Sequence, residues 1–333
     1  MKLKKILIPT DFSENSRTAF SAVNIFLDLF DCKVDLIHVV PLTSYLNESV
    51  SILGIPLSSG DNMYPKIAEK ATEKLKEFSE EYFKKDKIGE LIVDINRKPS
   101  DSIVKHAEDG GYDMIIMSSR GEHSSDFLHG STTEKVVRYS KIPVLSLDNK
   151  LHHDKIKTVL VPTDMSEFSL EVIPIAFEMA SKFKASIQLF NVLELYNTGI
   201  AMNAIDGVET SSYEIPVNKE GLYSVIMDRL DDYFKDHKEF SLKRKEEPYA
   251  DEIVKKVGGK KITVLVTTVI EKGVIAHRSI IDYANDNADL IVMSTHGRTG
   301  LAQFFIGSTT EKVTQNLDIP LLTLKTNAPE VKK

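Results

Sequence analysis

Residues 294–313 read STHGRTGLAQFFIGSTTEKV and offer bare backbone at two points, Gly297 and Gly307. Nine residues separate Gly297 from Gly307, and Gly307 stands directly before Ser308 and Thr309. Hydroxyl residues after a glycine suit the start of a helix, where unpaired amides and the positive end of the dipole favour an anion. A glycine there lets a ligand approach the backbone with no Cβ in the way. Ser308 adds a hydroxyl donor, and Arg298 adds a charge for a phosphate or for water. A second stretch, VLVPTDMSEFS at 159–169, ends an apolar run in Pro162-Thr163-Asp164. Asp164 suits a ribose hydroxyl or a magnesium ion carried on phosphates, because hard cations prefer carboxylate oxygen. Each feature also has a plainer reading: an ordinary helix start, a carboxylate that caps the next helix, a solvated arginine. Gathered in one crevice, they would bind a nucleoside polyphosphate.

The chain carries a second version of both stretches, and that of the glycine stretch is damaged. ILIPTDFSENS at 6–16 supplies Thr10 and Asp11, and SSRGEHSSDFLHGSTTEKV at 118–136 supplies Ser118, Arg120, Gly121, Gly130 and Ser131. Here only eight residues lie between the two glycines. The stretches at 6 and 159 are offset by 153 residues, DMIIMSS and DLIVMST at 113 and 289 by 176, and the two GSTTEKV runs at 130 and 307 by 177. One domain is duplicated. Residues 1–148 form copy one with the degenerate motif, and 155–333 form copy two with the motif largely intact. LDNKLHHDK at 147–155 is the linker; His152-His153-Asp154 within it reads better as solvated chain than as a metal site. The charged extra segment of copy two, near 238–260, is expected to hold a short helix ending at Gly258-Gly259.

Within copy one, strands are expected at 4–8, 33–40, 88–95, 113–118 and 143–147, and helices at 14–30, 65–85, 100–109 and 131–140. Copy two repeats the pattern. Strands such as DMIIMS are apolar throughout, as when helices cover both faces of a parallel sheet. The fold class is therefore α/β: two tandem doubly wound domains, each a five-stranded parallel sheet in the order 3-2-1-4-5. In such sheets ligands bind outside the carboxyl ends of the strands at the switch point. If strands one and four are neighbours, Pro162-Thr163-Asp164 and Ser294-Thr295-His296-Gly297 line one crevice.

The 333 residues carry 42 basic and 49 acidic side chains, a balance with no general attraction for nucleic acid or anionic lipid. The apolar runs are far shorter than the roughly 20 residues that span a bilayer. MKLKKILIPTDFS breaks off at Pro9 and reads as a strand rather than a secretion signal, so a cytoplasmic location is expected. One cysteine, Cys32, cannot form an internal disulfide and reads as a small buried residue. His123 and His129 read as surface histidines, and Asp231-Asp232 as a solvated helix face. There is no GxxxxGK[ST], GxGxxG, HExxH or cysteine cluster.

ILIPTDFSENS, DMIIMSS and STHGRTGLAQFFIGSTTEKV resemble the universal stress protein family, and the two copies together resemble its tandem members. Nucleotide-binding members carry glycine, two residues, glycine, nine residues, then glycine with serine or threonine. Copy two keeps this spacing with Ser294 in place of the first glycine; copy one has Ser118 there, Arg120 opposite His296, and the shorter loop. The resemblance implies ATP with magnesium as cofactor, contacted by Pro162, Thr163, Asp164, Val192 at the adenine, Met293, Ser294, His296, Gly297, Arg298, Gly300, Gly307, Ser308 and Thr309. Asp164 is the one residue expected to meet the metal. A weaker site in copy one would use Thr10, Asp11, Val39, Ser118, Arg120, Gly121, Gly130 and Ser131. The resemblance further implies pairing of the copies within the chain through strands 142–148 and 319–325, with homodimerisation left open.

The function expected is an ATP-binding stress regulator or sensor. Two other classes stay open: a slow ATPase or phosphotransferase in the same crevice, and a nucleotide-independent interaction module or a binder of another small ligand in the loops at 41–65 and 194–218.

Overall fold

A computed structural model describes residues 3–41, 63–119, 130–149, 151–194, 219–296 and 306–326. The described chain divides into two compact units, one comprising residues 3–153 with Ile306 and 314–325, the other 154–296 with 307–313 and Thr326.

In the first unit, β1 (Lys5–Pro9), α1 (Arg17–Leu29), β2 (Lys33–Pro41), α2 (Met63–Tyr82), β3 (Ile88–Asn96), α3 (Pro99–Asp109), β4 (Met114–Ser118), α4 (Ser131–Tyr139) and β5 (Val144–Leu147) alternate strand and helix. The five strands lie parallel in the order β3-β2-β1-β4-β5. β1 and β4 are therefore neighbours, as the crevice requires, with Ile6 beside Met114 and Leu7 beside Ile115. All five residues of β4 are buried, which is what an apolar strand covered on both faces demands. Leu7, Ile37, Val39, Ile115 and Met117 pack with Ile103 and Ala107 of α3 and Val136 and Val137 of α4. α1 and α2 cover the other face, where Phe20 meets Phe78 edge-on. The last strand of the chain, β12 (Leu321–Leu324), joins this unit: it runs antiparallel to β5, with Leu321 opposite Ser146 and Thr323 opposite Val144.

The second unit repeats the plan with β6 (Thr158–Pro162), α5 (Glu167–Leu170), α6 (Ile173–Phe183), β7 (Ser186–Glu194), α7 (Lys219–Asp236), β8 (Phe240–Lys243), β9 (Ala250–Val257), β10 (Lys260–Gly273), α8 (Ala276–Asn287), β11 (Leu290–Ser294) and the start, through Val313, of α9 (Ser308–Asn316). β10, β7, β6 and β11 are parallel neighbours in that order, the counterpart of β3-β2-β1-β4. Two differences from copy one have local causes. The first helix is split, because Pro174 sits in the opening turn of α6 and cannot donate its nitrogen to a preceding turn. The segment near 238–260 is a pair of strands and not the short helix its charges suggested. β9 pairs antiparallel with β10, Val257 opposite Lys260, and Gly258 and Gly259 turn the chain with φ of 54° and 78°. Two consecutive residues at positive φ make the hairpin turn that glycine favours. Alternation decides the rest: Ile253, Val264 and Val266 are buried, whereas Leu265, between the two valines, is exposed. Phe240 of β8 anchors the addition against Phe177 of α6 and Phe234 of α7.

The repeated aspartates of DMIIMS and DLIVMS have a structural duty. Asp113 Oδ2 accepts the Lys4 and Lys5 amides, and Asp289 Oδ2 accepts those of Lys157 and Thr158, tying the start of each fourth strand to the first. Cys32 is buried, and burial pushes its thiol up to about 11, so it is a packing residue. No helix among the described residues is long and apolar enough to cross a membrane.

Candidate functional site

β6 ends at Pro162, and the chain then turns sharply at Met165, a non-glycine residue with φ of 64°. Hydroxyl groups hold the turn. Thr163 Oγ1 accepts the Met165 amide at 3.2 Å and pairs with Ser169 Oγ at 2.9 Å, while Ser169 Oγ donates to the Ser166 carbonyl at 2.9 Å. Asp164 Oδ1 accepts both the amide and the hydroxyl of Ser166, at 3.0 and 2.6 Å. The aspartate is thus a fixed group at the carboxyl end of β6, presented by a left-handed residue that costs on the order of 1 kcal/mol or more.

Copy one repeats this to within a few tenths of an ångström: Phe12 has φ of 67°, Thr10 Oγ1 meets Ser16 Oγ at 3.0 Å and the Phe12 amide at 3.0 Å, and Asp11 Oδ1 accepts Ser13 Oγ at 2.6 Å. Neither the left-handed residue nor the hydroxyl clamp was expected from sequence. The signal was present: threonine and two serines recur at the same places in both copies, Thr10, Ser13 and Ser16 against Thr163, Ser166 and Ser169.

β11 delivers the other wall. It is the parallel neighbour of β6, and Met293, Ser294 and Thr295 at its end are buried. Ser294 stands where the nucleotide-binding pattern has glycine, and its side chain turns inward: Oγ bonds Thr326 Oγ1 at 2.7 Å and accepts the His296 amide at 3.1 Å. The serine therefore adds no bulk at the strand end. α9 is pinned to the same spot, because the Gly307 amide donates to the Thr295 carbonyl at 2.8 Å and Thr310 Oγ1 donates to the Ser294 carbonyl at 2.9 Å. Glu311 N closes the first turn on the Gly307 carbonyl. The Ser308 and Thr309 amides belong to that first turn, whose N–H groups no helix carbonyl satisfies. His296 lies beside Phe168 of α5, ring centroids 6.5 Å apart, which brings the end of β11 to the segment that follows Asp164.

Gly307 is informative for what does not explain it. Its backbone is outside the left-handed region, and among the described residues a Cβ built on it would meet only the Thr295 carbonyl oxygen, at 3.5 Å, an ordinary contact. Gly130 in copy one has φ of −65°. Backbone conformation demands glycine at neither place.

Val192 lies on β7 two positions beyond Phe190, at the same end of the sheet, and is only partly buried. Its place is set by Gly273 of β10, where a Cβ would fall 2.9 Å from Val192 Cγ1 and against Ser279 Oγ. Pro162, Thr163, Asp164, Val192, Met293, Ser294, His296, Gly307, Ser308 and Thr309 thus gather at the carboxyl ends of adjacent parallel strands. Gly297, Arg298 and Gly300 lie outside the described residues. In copy one, Thr10, Asp11, Val39, Ser118, Gly130 and Ser131 are placed in the same way, with Gly130 N donating to the Ser119 carbonyl at 2.6 Å and Thr133 Oγ1 to that of Ser118 at 2.8 Å. Arg120, Gly121, His123 and His129 lie outside the described residues.

The sequence profile of the Universal stress protein family matches residues 2–147 and again residues 155–325. The chain belongs to the universal stress protein family. It carries two such domains in tandem. Universal stress protein MJ0577 of Methanocaldococcus jannaschii is 35% identical over 155 residues, an alignment covering 44% of this chain and 96% of that protein. Universal stress protein MJ0531 of the same organism is 32% identical over 170 residues, covering 51% of this chain and 82% of that protein. A crystal structure of a universal stress protein from Archaeoglobus fulgidus aligns over 98% of this chain and 99% of its own, with a TM-score of 0.64 and 21% identity, a likeness of fold. The crevice at the end of β6 and β11 is therefore the switch-point crevice of the second universal stress protein domain.

Proposed function

We propose that the second domain, spanning 155–333, binds an adenine nucleotide, ATP with magnesium, and that occupancy regulates how the protein meets a partner. The phosphates lie at the start of α9, over Gly307, Ser308 and Thr309, and the family pattern adds Gly297, Arg298 and Gly300 as further contacts. Asp164 meets the ribose or the magnesium, and Val192 and Met293 meet the base. The observation that carries this reading is Gly307: the chain has no conformational need of glycine there, nothing among the described residues fills its Cβ position, and it is clamped to the end of β11 next to the strand that presents Asp164. An approaching anion supplies the missing reason.

The first domain, spanning 1–148, has the same clamps around a shorter loop and is the weaker site. The antiparallel bonds between β5 and β12 occupy the edge that separate universal stress protein chains would need for pairing in this manner.

An ATPase in the same crevice needs a general base or a second charged group opposite Asp164, and the described residues offer neither a P-loop lysine nor a cluster of metal-ligating side chains. With ATP and magnesium in large excess, phosphate release is expected to stay below about one equivalent per chain over the time in which the nucleotide exchanges freely. Sustained release of many equivalents, abolished by Asp164→Ala, would move the protein into the enzyme class.

A further inference from the structure

His38 is a buried titratable group that the proposed nucleotide site does not use. It lies on β2, 6% exposed, with Nδ1 2.9 Å from the Thr10 carbonyl oxygen. A carbonyl only accepts, so Nδ1 carries the proton and Nε2 is a bare acceptor, to which no group among the described residues donates. The imidazole also lies against the Phe12 ring, centroids 4.3 Å apart and planes at 31°. Phe12 is the left-handed residue, and its ring also meets Phe78 and Lys74, whose Nζ sits 4.9 Å from the ring centre. His38 therefore supports the chain on both sides of Asp11. In the second domain the same duty falls to Asn191, also 6% exposed, whose Nδ2 donates to the Thr163 carbonyl at 2.9 Å. An amide does the work of the imidazole without its proton chemistry.

We infer that His38 makes the Asp11 turn of the first domain open in mild acid while the Asp164 turn of the second, held by Asn191, stays closed, so that the two crevices of one chain respond differently to pH. Protonation puts a second N–H and a positive charge where no acceptor waits among the described residues. The groups that bear on it are the Thr10 carbonyl and the Asp11 carboxylate, which favour the proton, and Lys74 of α2, which opposes it. Burial outweighs them and lowers the His38 value below its ordinary 6.5. The sign follows: the turned-out imidazole takes a proton more readily than the buried one. The turn is thus fully held above the ordinary value and loses stability as pH falls below it, until the lowered folded value is reached. A single proton shifts the opening equilibrium by up to about tenfold per pH unit in that window.

The effect on ligand binding by the first domain rests on the nucleotide reading above; the acid opening does not, and it is measured on nucleotide-free protein. Hydrogen exchange of the full chain, followed by NMR from about pH 7.5 to about pH 5 and corrected for intrinsic rates, reads the Phe12 and Ser13 amides, held by Thr10 Oγ1 and Asp11 Oδ1. The Met165 and Ser166 amides, held the same way by Thr163 and Asp164, are the internal control. Protection at Phe12 and Ser13 is expected to fall up to about tenfold per pH unit below the ordinary histidine value, with Met165 and Ser166 unchanged. In His38→Asn, which copies the second domain, all four amides should keep their protection. Level protection at Phe12 and Ser13 in the wild type down to about pH 5 would overturn the inference even if the variant failed to fold. An equal loss in a folded His38→Asn would overturn it too.

Discussion

Gly307→Val is expected to weaken ATP binding by the second domain roughly a hundredfold or more, a loss of about 2.7 kcal/mol, while the protein stays folded. The new Cβ meets the Thr295 oxygen at 3.5 Å, and the backbone is already in a region that any residue adopts. The cost to folding is that of a poor helix cap, about 1 kcal/mol. The two methyl groups have to stand where the first-turn amides face outward, which is where a phosphate would sit. Gly307→Ala, with a single methyl, should fall between. Thermal unfolding and calorimetric titration of the same preparation separate the two effects. A folded Gly307→Val protein with undiminished affinity would remove the phosphates from α9.

Lys5→Met should produce the largest loss of stability, about 3 kcal/mol, in the first unit. Asp35 is 1% exposed on β2, and its Oδ2 takes Lys5 Nζ at 3.0 Å and the Tyr112 hydroxyl at 2.6 Å, while Oδ1 accepts the Glu90 amide at 2.8 Å. Lys5 Nζ also lies 4.2 Å above the Tyr112 ring. Burial and the Asp35 carboxylate hold the Tyr112 phenol far above its ordinary value, so it remains a donor at neutral pH. The residue opposite is Gly89, because a Cβ there would collide with Asp35 Oδ1. Removing the ammonium leaves a carboxylate out of water with neutral donors alone, and breaking a buried pair from one side costs about 3–5 kcal/mol. The lower end applies because the Lys5 side chain is 32% exposed and already shares its charge with solvent. Denaturant unfolding of Lys5→Met and of Lys5→Met/Asp35→Asn makes the test: the neutral amide should recover much of the loss. A single variant within about 1 kcal/mol of wild type would mean that Tyr112 and Glu90 suffice.

The strands were legible because a run such as DMIIMS leaves no polar face, and duplication doubled the evidence for each element. The position of Asp164 beside the end of β11 was legible for the same reason: once strands one and four are neighbours, their carboxyl ends share a crevice. Three things were not. Residues 238–260 looked helical because lysines and glutamates crowd them, whereas the period-two burial of Ile253, Val264 and Val266 and the Gly258-Gly259 turn make a hairpin. Asp35 and His38 sit inside what reads as an apolar strand, KVDLIHVV, and their partners Tyr112 and Thr10 are distant in sequence. The left-handed Phe12 and Met165 obey no propensity, since neither residue type favours positive φ; packing and the hydroxyl clamp impose it. In the last two cases tertiary contacts overrode the local pattern.

The most direct test of the account is calorimetric titration of nucleotide-stripped protein with ATP and magnesium, fitted for stoichiometry per chain. A single strong site, lost in Gly307→Val and kept in Gly130→Val, is the result expected for a phosphate at the start of α9. No heat and no displacement of bound nucleotide at any concentration would contradict it, and would leave the clamped glycine of the second domain as a helix start alone.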